Sequence, residues 1–355
     1  MNLSTVYDRI PGWYMARKCV YLKSQPGRGK TTTLADAPKR LSELLNKSMG
    51  LVIINGPLLT PADSIGYLVP KHGEDGRAES VYTDPFWFRT AEGKRLDEYD
   101  GGIILVDEAD KMDADVKKVI GEAALTGRLG PHVLPPGWVI WMAGNRSEDR
   151  SGSTKELDHL INRRMEIDIT DSIEAWTDWA AKNDVQPLTI AFANQNANVV
   201  FAEKVPDKQG PWCTPRSLVE ADRYLKVLRG TGDVPNDPTT VEEIGGMIGS
   251  GAAAQLFAFV KLEQEMPKFE TIVADPDKAK VPTKPDALML VAYNLAHRVS
   301  ENTAKPVIAY INRMPKEFSV TFARAACKRD PMLVKTPAFQ KWALENSSLM
   351  AVIVT

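Results

Sequence analysis

Residues 24–33 read SQPGRGKTTT. Gly29, Lys30 and Thr31 complete the pattern G-x-x-x-x-G-K-[ST], with Pro26 and Gly27 inside it, and Ser24 stands where the pattern opens on glycine. Such a loop points successive backbone N–H groups, here Gly27 to Thr31, into a concavity that suits a phosphate. Lys30 would reach the β- and γ-phosphate oxygens, and the Thr31 hydroxyl would ligate Mg²⁺. The expected nucleotide-binding set is therefore Pro26, Gly27, Arg28, Gly29, Lys30, Thr31 and Thr32. Ser24 sits at the strand exit, where a small residue fits if the backbone angles allow it.

A loop of this kind needs acids opposite it. Ile103 to Glu108, IILVDE, is an apolar run that ends in two carboxylates. Asp107 would hold Mg²⁺, directly or through water, and Glu108 would orient and polarise an attacking water. Many strands end in acids as they leave a core, so this motif gains its meaning from the loop that precedes it. Asn145, at the end of WVIWMAGN, is a polar residue on another such strand and would position the same water. The competing reading is an ordinary strand-terminating Asn.

Positioning these groups takes a sheet. KCVYLK, GLVIIN, GGIILVDEAD, GWVIWMAGN and RRMEIDIT read as five strands, with helical segments such as KTTTLADAPKRLSELLNK and DADVKKVIGEAALTG between them. That alternation predicts an α/β fold, a parallel sheet with helices on both faces. The Gly-, Pro- and charge-rich stretch 56–85 reads as an insertion, with HGEDG at a hairpin tip. After about Ser172 helical patterns dominate. RGTGDVPNDPTTVEE reads as a linker, and Thr336 as an N-cap before Pro337. Trp13, Tyr14, Trp138 and Trp141 read as core or interface packing.

Composition adds limits. The chain has 355 residues, 43% hydrophobic and 25% charged, which fits a globular protein of two or three domains. A net charge of -2 gives no global pull toward nucleic acid or anionic membrane. Cys19, Cys213 and Cys327 are odd in number and scattered, which argues against a disulfide framework and for a reducing cytosol. No zinc-ligand spacing is present. The N-terminus has no apolar signal core. MIGSGAAAQLFAFV is shorter than the roughly 20 apolar residues a bilayer requires, so no membrane span is expected.

In order and content, PGRGKT, IILVDEAD, AGN, INRRMEIDI and TPRSLVEA resemble the AAA+ ATPases, most nearly the MoxR-like branch of bacteria and phages. The resemblance covers about residues 15–230. It implies a nucleotide domain at 1–172, a helical lid at 173–230, a linker at 231–241 and a further helical domain at 242–355. The 56–85 stretch would be that clade's insertion within helix 2, and TGRLGPHVLPPGWVI its hairpin before the sensor strand. It also implies ATP with Mg²⁺ as cofactors, hydrolysis to ADP and phosphate, and a homo-oligomeric ring, usually a hexamer. Arg163, in the NRR segment, aligns with the arginine finger, and Arg164 is the alternative. Arg216 aligns with the sensor arginine of the lid, and Asn55 with a polar residue that restrains the catalytic glutamate. The role so implied is chaperone-like remodelling of a protein partner, with a von Willebrand factor A domain protein as a plausible one. A DNA-handling ATPase and a nucleotide-gated scaffold with little turnover are the alternatives.

Overall fold

The computed structural model describes residues 1–72, 77–149, 161–162, 164–230 and 232–346. The chain packs as two compact units, Met1–Asp171 and Ser172–Thr355.

The first unit is built on five strands, β1 (Val20–Ser24), β2 (Met49–Asn55), β5 (Gly101–Asp107), β8 (Trp138–Asn145) and β9 (Met165–Asp168). They form one sheet in the order β2-β5-β8-β1-β9. Every neighbouring pair is parallel. The expected α/β fold is thus the one adopted. The central strands β5 and β8 are buried along nearly their whole length, which explains why they read as unbroken apolar runs rather than alternating ones.

Alternation decides which face each residue serves. Tyr21, Ile104, Val106, Ile140 and Met142 pack to one side with Val116 and Ile120 of helix α5 (Ala114–Thr126). Val20, Leu22, Ile103, Leu105, Val139 and Trp141 pack to the other. They meet Val6 and Ile10 of α1 (Leu3–Met15), Leu34 of α2 (Lys30–Ala35), and Ala37 and Leu41 of α3 (Ala37–Leu45). The unit therefore has three layers. Trp138 and Trp141 both lie in this core, and each indole N–H is satisfied, by the carbonyls of Leu96 and Lys18 at 2.9 Å. The helical stretch after the glycine-rich loop breaks at Asp36 into α2 and α3. The insertion contains helix α4 (Pro61–Ile65) and an antiparallel hairpin of β3 (Leu68–His72) and β4 (Ala78–Tyr82). A second small hairpin, β6 (Arg128–Leu129) with β7 (His132–Val133), precedes β8.

The second unit is helical in its described residues. One apolar cluster runs from Trp176 through Leu218 and Leu225 to Leu256, Phe259 and Tyr293. Residues before and after the 231–241 stretch thus share a core. A further cluster joins Leu288, Tyr310, Phe322 and Trp342. Long apolar stretches split where the backbone cannot stay helical. Gly249 at φ 85° separates the helices Pro238–Ile248 and Ser250–Glu265. Thr336 caps Pro337–Glu345 through its side chain. Among the described residues, no helix is long and apolar enough to cross a membrane.

Candidate functional site

Because the strands are parallel, β1, β2, β5 and β8 all finish at one edge of the sheet, where ligands of such folds are bound. Register then fixes which strand ends are neighbours. Ser24 pairs with Asn145, and Asn55 pairs with Asp107. Residues far apart in sequence arrive side by side.

The loop between β1 and α2 turns on two glycines, Gly27 at φ 74° and Gly29 at φ 88°. Both angles are ones that L side chains rarely adopt. Gly29 occupies the cap of α2 and, having no side chain, supplies no side-chain cap to that helix start. Pro26 is half-buried, and Thr32 is exposed at the first turn of α2. Lys30 begins the helix and is only 6% exposed. Its ammonium donates to Ser24 O at 3.1 Å, Ser24 Oγ at 2.9 Å, Gln25 O at 3.0 Å and Asn145 Oδ1 at 3.3 Å. The Thr31 hydroxyl lies 3.0 and 2.9 Å from the two carboxylate oxygens of Asp107. Asp107 Oδ1 also accepts the Glu108 N–H at 2.9 Å.

Glu108 takes a left-handed conformation, φ 51° and ψ 36°. For a residue with a side chain that is uncommon and costs about 1–3 kcal/mol. It turns the chain sharply off β5, beside the loop end of the sheet. Its carboxylate pairs with Lys111 at 2.9 Å. Asn145 is held from behind, since its N–H donates to Asp110 Oδ1 at 2.9 Å. Arg28 is 5% exposed, bonds Gln25 Oε1 at 2.6 Å and lies 3.2 Å from Asp171 Oδ1. Burial pushes the Asp171 carboxyl above its ordinary value, while the Arg28 and Arg146 cations pull against that rise.

Within the first unit, Asn55 and Arg164 lie away from the Lys30 cluster. Asn55 is exposed on the edge strand, level with Asp107. Arg164 is committed within its own chain. It bonds Glu166 at 2.8 and 2.6 Å and lies 4.3 Å over the Tyr21 ring. Burial would raise the Glu166 carboxyl, but hydrogen bonds from Lys23 and Arg164 outweigh it and hold it below its ordinary value. Arg163 lies outside the described residues. Arg216 is exposed in the first turn of the second unit's Pro215–Arg229 helix, which Thr214 and Ser217 cap reciprocally.

Two supports were not foreseen from the residues. Asp110, 2% exposed, ties the end of β8 to the acid-bearing segment. The third acid of DEAD was its only sequence signal. Gly144 is the other: a Cβ there would stand 2.3 Å from Tyr21 Oη and 2.8 Å from Asp110 Oδ1. Gly144→Ala is therefore expected to displace Asp110 and to lower stability by about 2 kcal/mol, the usual cost of overpacking a core. Urea denaturation measures the loss, and an unchanged midpoint would refute this account of the glycine.

No family model matches the chain, and no curated protein matches it. Solved structures similar to it include a candidate ATPase from Cytophaga hutchinsonii, 14% identical, with 73% of this chain and 88% of that one covered and a TM-score of 0.32. The RuvB Holliday junction branch migration motor of Thermotoga maritima is 15% identical over 72% of this chain and 67% of that one, with a TM-score of 0.39. NtrX from Brucella abortus, solved in complex with ADP, is 13% identical over 98% and 68%, with a TM-score of 0.37.

Proposed function

We propose that this chain is an AAA+ ATPase that hydrolyses ATP to ADP and phosphate with Mg²⁺. One observation carries the reading: Lys30, the Thr31–Asp107 pair, Glu108 and Asn145 converge at one sheet edge around a loop built on two left-handed glycines. The donor set fits the cofactors. A hydroxyl and a carboxylate are hard oxygen ligands, and Mg²⁺ is usually held by one or two such groups together with phosphate oxygens and water. Bound there, Mg²⁺ would supply charge neutralisation on the phosphates.

The chain's own residues would do the rest. The loop N–H groups from Gly27 to Thr31 grip phosphate, with Pro26, Arg28 and Thr32 shaping the loop. Lys30 places a positive charge at the β- and γ-oxygens. Glu108 accepts the proton of the attacking water, and Asn145 orients that water. Asn55, level with Asp107, would restrain Glu108 between turnovers.

The finer reading is a MoxR-like ring, hexameric, in which Arg163 of one subunit completes the site of the next and Arg216 reports on the γ-phosphate from a lid at 173–230. Its work would be chaperone-like remodelling of a protein client, with a von Willebrand factor A domain protein as candidate. A scaffold reading has one observation in its favour. The Glu108 carboxylate is paired with Lys111, so a partly exposed cation competes with water for the proposed base.

ATPase rate against protein concentration, with mass photometry on the same samples and with and without single-stranded DNA, tests these ideas. A rate per subunit that climbs as rings form, indifferent to DNA, is the expected result. Strong stimulation by DNA would replace the remodeller with a DNA-handling ATPase. A negligible rate in assembled rings would leave the scaffold.

A further inference from the structure

Ser24 departs from the loop pattern, and the structure shows what its hydroxyl touches. Ser24 is 2% exposed. Its Oγ donates to Gln25 O at 2.9 Å and accepts from Lys30 Nζ at 2.9 Å. Lys30 Nζ has three protons, yet at least four oxygens among the described residues stand within 3.3 Å: Ser24 O, Ser24 Oγ, Gln25 O and Asn145 Oδ1. The ammonium is saturated before any phosphate arrives. A glycine at position 24 would keep the carbonyl and offer no hydroxyl. Register makes the arrangement possible, because Ser24 and Asn145 are cross-strand partners.

We propose that Ser24 is an affinity-determining positioning residue, whose hydroxyl holds Lys30 in a retracted state that the β- and γ-phosphates of a nucleotide must displace. This rests on the nucleotide-binding reading above. Hydrogen bonds to a charged donor in a buried site are stronger than neutral ones, and water cannot easily replace them there. Each nucleotide that draws Lys30 forward therefore works against the Ser24 bond. The same movement frees Asn145 Oδ1 from the ammonium, so the residue proposed to orient water becomes available as the phosphates bind. Ser24 would thus raise the nucleotide concentration at which the site fills, and would link filling to the release of Asn145.

The test uses the full-length chain with Ser24→Ala, Ser24→Gly and Ser24→Thr. Binding of ATP and ADP is measured by titration, with melting temperature as the fold control. Removing the hydroxyl should tighten both affinities by about tenfold, the scale of one charge-assisted hydrogen bond. Ser24→Thr, which keeps the hydroxyl, should stay near the wild type. KM for ATP should fall more than kcat changes, a split that a loosened fold would not produce. An independent readout needs no nucleotide. Acylation of Lys30 by an amine-reactive ester, followed by peptide mass spectrometry, should run several-fold faster in Ser24→Ala than in the wild type. If the wild type binds nucleotide and the alanine variant binds no better, the latch is refuted while the site stands. Weaker binding in the variant also overturns it, since the hydroxyl would then be organising Lys30 for phosphate. If the wild type binds neither ATP nor ADP, the nucleotide reading and the latch fall together.

Discussion

Glu108→Gln is expected to cut ATP turnover by about a thousandfold, within the range a positioned general base contributes. ATP binding should persist. Glutamine keeps the shape and one acceptor oxygen but cannot take up the proton of an attacking water. The groups proposed to grip phosphate are untouched by the change. The Thr31–Asp107 pair and the bond from the residue 108 N–H to Asp107 involve no atom of the Glu108 side chain. The left-handed turn at this position remains. Removing the carboxylate also dissolves its pair with Lys111, a partly exposed contact of small worth. The decisive comparison is phosphate release beside fluorescent-nucleotide binding for both proteins. A wild type as inert as the variant would move the protein from enzyme to scaffold.

Lys30→Ala should weaken ATP binding at least about a hundredfold, the scale of losing charge-assisted bonds to two phosphates. Here the structure adds a second consequence. Lys30 joins the loop to the sheet, through Ser24 and Gln25 on one side and Asn145 on the other. Truncation leaves those acceptors in a buried site without this donor. Some loss of stability is therefore expected along with the loss of binding, about 1–3 kcal/mol. Circular dichroism melts separate the two effects. A variant that melts close to the wild type and still fails to bind shows that the charge, not the loop's order, holds the nucleotide. Retained affinity would mean that the loop does not bind phosphate through Lys30 at all.

Much of the first unit was legible from local pattern. Five β-branched or aromatic apolar runs appear as five parallel strands, and the glycine-rich loop lies between the first strand and a helix. These signals are local because burial on both faces of a strand, and φ above zero at Gly27 and Gly29, constrain single residues. Helix ends were less legible. Asp36 and Gly249 interrupt stretches whose apolar spacing continues across them, and the N-terminal helix Leu3–Met15 is masked by Pro11 within it. What hides there is a competition between propensity and packing, which periodicity alone does not resolve.

The amino-acid sequence by itself determined the chemistry on offer: a phosphate-type loop, a strand ending in two acids, and a strand ending in asparagine. Only the tertiary structure decided how those parts are joined. Sheet order and register set Ser24 against Asn145 and Asn55 against Asp107. Packing drew Asp110 under Asn145 and folded Arg164 onto Tyr21 and Glu166. The physical reason is range. Backbone angles and burial patterns are written into neighbouring residues, whereas a hydrogen bond between strands depends on which strands lie side by side. That order follows from burying both faces of the sheet at once, a property of the whole first unit rather than of any segment in it.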